Sequence, residues 1–147
     1  MLDKSDWAHL IPHAGTMCLL DSVVSWSDGS IHARSASHGH QGHPLRGEHG
    51  LHAVHLAEYG AQCMAVHGAL LARDRGETTV RQGRLVSLRD VVLGVEYVDP
   101  SGDLDVYAER LYGDATGAQY SFRVMQGERL LASGRAAVIH PQPQGFV

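Results

Sequence analysis

With 147 residues, the chain is long enough for one domain with its own core, and 44% hydrophobic and 19% charged residues are ordinary for a globular protein. A net charge of -4 argues against nucleic acid as the main partner. No apolar run reaches the length of about 18 residues that a membrane span needs, and the N-terminus lacks the apolar core of a signal peptide. We therefore expect no membrane span and a cytoplasmic protein.

Two residue types stand out in number or spacing. Cys18 and Cys63 are the only cysteines and lie far apart, so we predict two reduced, buried thiols rather than a disulfide. There are 11 histidines, and seven of them lie between His38 and His67. We predict that the group from His38 to His43 lies in a solvated loop and that His67 is structural.

The chain before residue 50 is predicted to form a β-hairpin. Residues 7–20 read as a short turn or helix followed by an apolar segment, with Pro12 as a breaker. Met17 to Val24 is the first predicted strand, and Ser27-Asp28-Gly29 is a turn into a second strand from Ser30 to Ala36. Residues 38–49 are rich in Gly and His and are predicted to form a loop.

A long helix is predicted from Gly50 to Arg73, because the stretch contains no proline and is rich in Ala, Leu and Met. Its two faces differ in character. One face is expected to lie close to a sheet because most of its residues are small: Ala53, Ala57, Gly60, Ala61, Met64, Gly68 and Leu71. The opposite face carries a His, a Glu and a Gln among its residues, which are Leu51, His55, Glu58, Tyr59, Gln62 and Val66.

The chain after Thr78 is predicted to be strands and turns. Gly83 to Val98 is one long β-rich run, with Gly94 as the site of a bulge. Later residues alternate between apolar and polar with a period of two, which is typical of half-buried strands. Turns are predicted at residues 99–102, 113–117 and 126–127. The last strand is predicted at residues 129–139, and the tail from 141 to 147 is expected to be frayed.

This order of elements favours one architecture. A hairpin, a single long helix and a meander of about four strands predict an antiparallel sheet with one helix to cover it. The economical arrangement is an α+β hotdog fold, in which a curved sheet wraps around the helix, and it accounts for residues 1–147 as one domain. One sheet edge and the polar helix face would stay open, so we expect a dimer.

The residues also carry a resemblance to a known family. Ile11-Pro12-His13 followed by Met17 to Val23, together with Glu58-Tyr59-Gly60-Ala61-Gln62, resembles the opening and central helix of the 3-hydroxyacyl-[acyl carrier protein] dehydratases. The similarity is closest to the small ApeP-type proteins associated with aryl polyene synthesis. Further matches occur in the same order along the chain: residues 43–46, 51–55, 58–71, 86–91 and 108–111.

The resemblance implies a chemistry and a set of partners. It implies removal of water from a 3-hydroxyacyl thioester in fatty acid or aryl polyene-type synthesis. The substrate would be carried on the phosphopantetheine of an acyl carrier protein, and no cofactor would be needed. The protein would assemble as a homodimer, or as a heterodimer with a second hotdog dehydratase. An acyl thioesterase, or a non-catalytic hotdog subunit that pairs with a catalytic one, remains an alternative.

The dehydration requires a base for the α-proton and an acid for the β-hydroxyl group. By resemblance, Glu58 is one of these groups. The better-known dehydratases place a histidine 14 residues before this Glu, but that position is Pro44 here. The second group is therefore open between His55, one turn earlier on the same face, and His13.

Four further residues are candidates for holding the substrate. A backbone N–H near Leu51, at the helix N-terminus, would suit the thioester carbonyl. Gln62 is placed to orient Glu58 by an i, i+4 hydrogen bond, and Tyr59 would help to shape the acyl tunnel. Arg46 is a candidate contact for the phosphopantetheine phosphate, with a surface arginine as the alternative.

A metal site on the helix is not predicted. His52, His55 and Glu58 repeat every three residues, but together they sweep about 120° of the helix surface. The HExxH pattern of zinc proteases is absent. We therefore assign no metal ligands.

Overall fold

A computed structural model describes residues 1–11, 15–77 and 83–140, which form a seven-stranded antiparallel sheet and one long helix. The elements in chain order are β1 (Leu2–Asp3), α1 (Lys4–Trp7), β2 (Ser22–Trp26), β3 (Ser30–Ser35), α2 (Leu56–Asp74), β4 (Arg84–Leu93), β5 (Leu104–Gly113), β6 (Gly117–Gln126) and β7 (Arg129–Ile139). Short 3-10 turns occupy Ala8–Leu10, Gly15–Met17, Ser37–Gly39 and Ala53–His55. The predicted α+β hotdog architecture is confirmed.

The strand order in the sheet is β1-β2-β3-β5-β6-β7-β4. The predicted hairpin turns before Ser30, Gly117 and Arg129 are confirmed, and β5, β6 and β7 form a meander. The expectation that β4 continues this meander is wrong. β3 takes the place beside β5 through six residue pairs, so β4 lies at the far edge beside β7. The predicted turn at residues 99–102 therefore belongs to a crossover and not to a hairpin.

The helix α2 begins later than the sequence predicts. Residues before it are extended and pair with the crossover, where the Ala53 N–H donates to the Glu96 carbonyl at 2.8 Å and the Val98 N–H donates to the Leu51 carbonyl at 2.9 Å. A 3-10 turn then leads into Leu56. The 19 residues of α2 span about 28 Å, and Gly76, with a φ of 77°, follows its C-terminus in the left-handed region.

Two predicted strands also have different limits. The first strand begins at Ser22 and not at Met17, because residues 15–17 form a 3-10 turn. The long strand after the helix ends at Leu93, and its register shifts fall between Leu85 and Ser87 and between Arg89 and Val92. Gly94 is therefore a point of close approach rather than a bulge, since a Cβ there would overlap the Leu130 carbonyl oxygen.

The small-residue face of α2 is divided in two. Gly60 lies directly under the Phe122 ring of β6, so the helix packs closely on the sheet at this point. Met64 and Leu71 of the same face are also buried. Ala61 and Gly68 are only half-buried, and a Cβ on Gly68 would meet no atom within 4 Å. The close approach to the sheet that the small residues predict is therefore made at Gly60 and not along the whole face.

Two glycine substitutions on α2 should have opposite effects. In Gly60→Ala, the new Cβ would lie 2.6 Å from the Phe122 ring, and such overpacking costs about 1–3 kcal/mol of the free energy of unfolding. In Gly68→Ala, the methyl group meets open space, so the higher helix propensity of alanine should stabilise the protein by up to about 1 kcal/mol. Urea unfolding of both variants checks this, and equal effects would contradict the packing described here.

The core lies between α2 and the concave face of the sheet, and both cysteines belong to it. Cys18 and Cys63 are free and buried, as predicted. Burial raises the pKa of both thiols. Among the described residues, no helix is long and apolar enough to cross a membrane.

Candidate active site

Glu58 lies in the first turn of α2 with its side chain exposed. Within the described ranges its carboxylate has no hydrogen bond and no ion pair, so none of these residues holds it in a fixed direction. A carboxylate near a helix N-terminus is favoured electrostatically by the helix dipole. Glu58 is therefore an ionisable group that a bound ligand can reach.

A groove of about 600 Å³ runs from Glu58 along the open side of α2. Its helix wall is the stripe of Ala61, Ala65, Gly68 and Ala72, whose short side chains leave room above the helix. Leu10 and Ile11, from the N-terminal segment, and residues of β4 to β7 supply the other walls: Leu85, Arg110, Gly113, Ala118, Tyr120 and Val138. Its size and mixed lining suit a small-molecule chain.

The two candidate histidines have different outcomes. His55 ends the 3-10 turn just before α2 and is half-buried, one turn before Glu58. In the described part of the chain, no hydrogen bond or ion pair joins the His55 and Glu58 side chains. His13 lies outside the described residues.

Gln62 binds backbone atoms and does not contact Glu58. Its amide oxygen accepts hydrogen bonds from the backbone N–H groups of Leu19, at 2.7 Å, and Leu20, at 3.4 Å. Its amide nitrogen donates to the Met17 carbonyl. Gln62 is 2% exposed, so it fastens the segment before β2 to the helix. The expected i, i+4 hydrogen bond to Glu58 is not formed.

Tyr59 is fully buried and takes part in a polar network rather than in the groove wall. Its hydroxyl lies 2.9 Å from Nε2 of His43 and 2.7 Å from Oγ of Ser37. Nδ1 of His43 accepts from the Leu45 N–H at 3.1 Å, so Nε2 carries the proton and donates to Tyr59. Tyr59 then donates to Ser37, which donates to the Leu19 carbonyl at 2.8 Å. Burial raises the pKa of Tyr59 to about 12.

The prediction that residues 38–43 form a solvated loop is wrong for His38 and His43, which are both buried. His38 is 2% exposed and His43 is 7% exposed. His38 lies beneath the crossover, where a Cβ on its neighbour Gly39 would lie 2.9 Å from the Pro100 carbonyl oxygen. Segments that are distant in sequence bury these histidines. The polar residues around them in the sequence do not indicate that burial.

Leu51 and Arg46 are the remaining candidates for substrate contacts. Leu51 is 2% exposed, and the nearby Ala53 N–H is engaged by the Glu96 carbonyl. The Ala53 N–H is therefore not available to a thioester carbonyl, and a donor role for the backbone near Leu51 stays a prediction. Arg46 is half-buried near His43; burial is the main reason that the pKa of the His43 imidazole is lowered, and the charge of Arg46 adds to that effect.

A second buried histidine joins three elements. Nε2 of His67 donates to the Ser27 carbonyl at 2.7 Å, and Nδ1 accepts from the Tyr120 hydroxyl at 2.7 Å. His67 is fully buried, so it links α2 to β6 and to the turn between β2 and β3. Burial raises the pKa of Tyr120 to about 12. These contacts agree with the structural role predicted for His67.

Acid should destabilise the protein through its buried histidines. Burial lowers the pKa of His38, His43 and His67 below the ordinary value, because it disfavours the charged imidazolium. As the pH falls below about 6.5, the unfolded chain takes up protons that the folded chain resists. Stability is thus complete above that pH and is lost as the pH falls towards the folded pKa values.

Each of these histidines can contribute up to about 1.4 kcal/mol per pH unit to this loss. Urea unfolding between pH 7.5 and 5.5 measures the slope. His67→Gln should reduce the slope, and His40→Gln, at an exposed position of the loop before α2, is the control. A slope unchanged in His67→Gln would contradict the assignment.

The geometry of the described residues offers no metal site. In the parts of the chain that the structure describes, no group of three or more His, Cys, Asp or Glu side chains is arranged to hold an ion. His52 uses Nδ1 to accept the Val54 N–H at 3.0 Å and so caps the turn before α2.

Comparison with solved structures shows the fold. A chain of the dehydratase heterocomplex ApeI:P from Xenorhabdus doucetiae matches with a TM-score of 0.84 and 23% identity, over 92% of this chain and 90% of that one. A hypothetical thioesterase with coenzyme A from Streptococcus pneumoniae matches with a TM-score of 0.66 and 10% identity, over 97% and 99%. A thioesterase mutant from Staphylococcus aureus matches with a TM-score of 0.61 and 17% identity, over 82% and 93%.

The family is shown by a match to a sequence model. No curated protein matches the chain significantly. The model of the ApeP-like family, described as ApeP dehydratase, matches residues 5–147, which is nearly the whole chain. The resemblance seen in the sequence motifs is thereby confirmed, and the chain belongs to the ApeP-like dehydratase family.

Proposed function

We propose that this protein removes water from a 3-hydroxyacyl thioester carried by an acyl carrier protein. The observation that carries the proposal is the position of Glu58, whose free carboxylate lies at one end of a groove that is long enough for an acyl chain. Membership of the ApeP-like dehydratase family supports the reaction type. No cofactor is needed, because the reaction moves only protons and a hydroxyl group.

In this proposal the carboxylate of Glu58 exchanges a proton with the substrate. Elimination takes a proton from the α-carbon, breaks the β-carbon–oxygen bond and releases the hydroxyl group as water after it gains a proton. The second proton-transfer group is His55 or His13, or it comes from a partner subunit. The groove beyond Glu58 receives the acyl chain, and the carrier protein stays outside with its phosphopantetheine arm reaching in past Arg46.

A thioesterase is the second candidate. It is favoured by one observation, which is that no imidazole is hydrogen-bonded to Glu58 within the described residues. A carboxylate beside a water molecule is sufficient to support hydrolysis of a thioester. Two of the structural matches have thioesterase in their names, but at 10% and 17% identity they show the fold alone.

One assay separates these reactions. The purified protein is incubated with a 3-hydroxyacyl-acyl carrier protein, and the acyl group is followed by mass spectrometry while free thiol is measured in the same sample. Loss of water without thiol release is the expected result. Thiol release without water loss would replace the proposal with the thioesterase, and neither product from folded protein would indicate a subunit that needs a catalytic partner.

The edge strand β4 is the surface through which we propose that a second hotdog subunit binds. In the sheet no other described strand pairs with its outer side. Nine of its ten residues are exposed, including apolar ones that a monomer would be expected to cover. The partner is a second copy or a different hotdog dehydratase, and the match to a chain of the Xenorhabdus dehydratase heterocomplex supports the different dehydratase.

A lysine on β4 should weaken this association. Val92 is 57% exposed on the edge strand, and Val92→Lys should raise the dissociation constant at least about tenfold, because a charge on an exposed edge opposes strand pairing. Leu111→Lys is the control, since Leu111 is 48% exposed but lies on an interior strand. Light scattering of the chain alone, and with a candidate partner, measures the effect; equal effects of both lysines would contradict the proposed interface.

A further inference from the structure

Arg110 places a positive charge in the wall of the groove. Leu104, Val106 and Ala108 of β5 alternate inwards towards α2, and Arg110 continues that series. The strand register shifts immediately after it, between Arg110 and Tyr112. Arg110 lines the groove and is half-buried, and its guanidinium lies so close over Gly113 that a Cβ there would overlap it.

This charge has no counter-charge in the chain as far as the structure describes it. No carboxylate of the described residues pairs with Arg110, whereas Arg75, another cation of the groove, is paired with Glu77 at 3.6 Å. Asp114, which also lines the groove, uses Oδ1 to accept the Thr116 and Gly117 N–H groups. Holding an arginine side chain half-buried without a neighbouring anion costs free energy, and a ligand that supplies a hydrogen-bond acceptor offsets that cost.

The hydroxyl group of the neighbouring Tyr120 is not free to donate a hydrogen bond to a ligand in the groove. Tyr120 stands opposite Arg110 in the pairing of β5 with β6. Its hydroxyl proton is given to Nδ1 of His67, whose other nitrogen donates to the Ser27 carbonyl. The guanidinium of Arg110 therefore offers hydrogen-bond donors on this side of the groove that no carboxylate of the described residues engages.

Arg110 is well separated from the reacting end of the groove. Its neighbour Tyr120 contacts His67, which lies nine residues after Glu58. At the rise of an α-helix, nine residues correspond to about 14 Å along the axis. A group that met Arg110 would therefore belong to the far end of an acyl chain whose thioester end lies at Glu58.

We propose that Arg110 selects acyl chains whose far end carries a hydrogen-bond-accepting oxygen, in preference to chains that end in a methyl group. The proposal rests on the proposed function, because it places the thioester end beside Glu58. Arg110 would donate to that terminal oxygen, and the stripe of small residues on α2 would contact the carbon chain between the two ends.

The test compares 3-hydroxyacyl pantetheine thioesters of equal length that end in a methyl, a hydroxyl or a carboxylate group. The ratio of kcat/KM for an oxygen-ended substrate to kcat/KM for the methyl-ended one measures the selection. Wild type should favour at least one oxygen-ended chain, and Arg110→Met should lower that ratio by about tenfold or more, as expected for loss of a charged hydrogen bond. The hydroxyl and carboxylate arms identify which oxygen is preferred.

Two further variants make the result specific. Gly113→Ala keeps the charge of Arg110 but forces its guanidinium away from residue 113, so it should also lower the ratio. Arg75→Met removes the ion-paired cation of the same groove and should leave the ratio unchanged. A ratio that is equal in wild type and Arg110→Met, or a wild type that favours the methyl-ended chain, would overturn the proposal.

A binding measurement separates failure of this proposal from failure of the proposed function. Amide analogues of the three substrates, which resist thioester cleavage, are titrated into the protein by calorimetry. If no substrate is dehydrated but Arg110→Met selectively weakens binding of an oxygen-ended analogue, the reaction is wrong and the selection stands. If all substrates are dehydrated and the analogues bind wild type and Arg110→Met with equal relative affinity, the selection is wrong and the reaction stands.

Discussion

Replacement of Glu58 by glutamine should lower the rate of dehydration by about 100- to 10,000-fold, which is the usual contribution of a positioned acid or base. Glutamine has nearly the same shape but cannot exchange a proton at neutral pH. Single-turnover mass spectrometry with a 3-hydroxyacyl-acyl carrier protein measures the loss. If the protein is instead a thioesterase, the same variant should lose thiol release by a similar factor.

The same substitution should change the stability only slightly. Glu58 is exposed and has no hydrogen bond or ion pair within the described ranges, so glutamine breaks no contact there. Loss of a negative charge from the first turn of α2 should cost no more than about 1 kcal/mol of the free energy of unfolding. Glu48→Gln, at an exposed carboxylate of the preceding loop, is the matched control. Full activity in Glu58→Gln would remove Glu58 from the chemistry.

Replacement of Gln62 by leucine should be the most destabilising polar substitution in α2. The side chain is buried, and its amide satisfies the Leu19 and Leu20 N–H groups and the Met17 carbonyl. Each buried backbone group left without a partner costs about 1–3 kcal/mol, so we expect a total loss of about 3 kcal/mol or more in the free energy of unfolding. Urea unfolding measures it, with Gln119→Leu at an exposed position of β6 as the control.

A graded substitution at the same position distinguishes hydrogen bonding from packing. Gln62→Glu keeps an oxygen that can accept from Leu19 and Leu20 but loses the N–H donation to Met17. With its carboxyl group protonated, the variant can accept from Leu19 and Leu20 and donate its O–H to the Met17 carbonyl, so it should be more stable than Gln62→Leu at low pH and should lose that advantage as the group ionises. If leucine and glutamate were equally tolerated at low pH, the hydrogen bonds of Gln62 would not be what fastens the segment before β2.

Local signals account for the part of the fold that the sequence predicts. Ser27-Asp28-Gly29 and Gly113 to Gly117 contain the residues that tight turns require, and the strands around them alternate with a period of two. The position of β4 carries no such signal. Which strand lies beside β5 depends on competition between β3 and β4 for one edge, and that competition is settled by contacts between distant segments.

The candidate site likewise contains features that the sequence predicts and features that depend on contacts between distant segments. Glu58 could be singled out because its motif resembles that of a known family, and the structure leaves it exposed at the groove. Gln62 and Tyr59 share its helix face in projection, but their partners, Leu19 and His43, lie on segments that fold back over the helix. A helical projection shows which side a residue faces and not what covers that side.

The exposed edge strand also bears on how the protein moves. Edge strands with few buried contacts open at low free-energy cost, whereas strands in the centre of a sheet open only with the whole domain. The amide hydrogens of β4 that point away from β7 should therefore exchange with solvent water fast in the isolated chain, while those of β5 and β6 stay protected. When a second subunit binds there, the same amides should become slow, so deuterium uptake at residues 84–93 would report assembly directly, residue by residue.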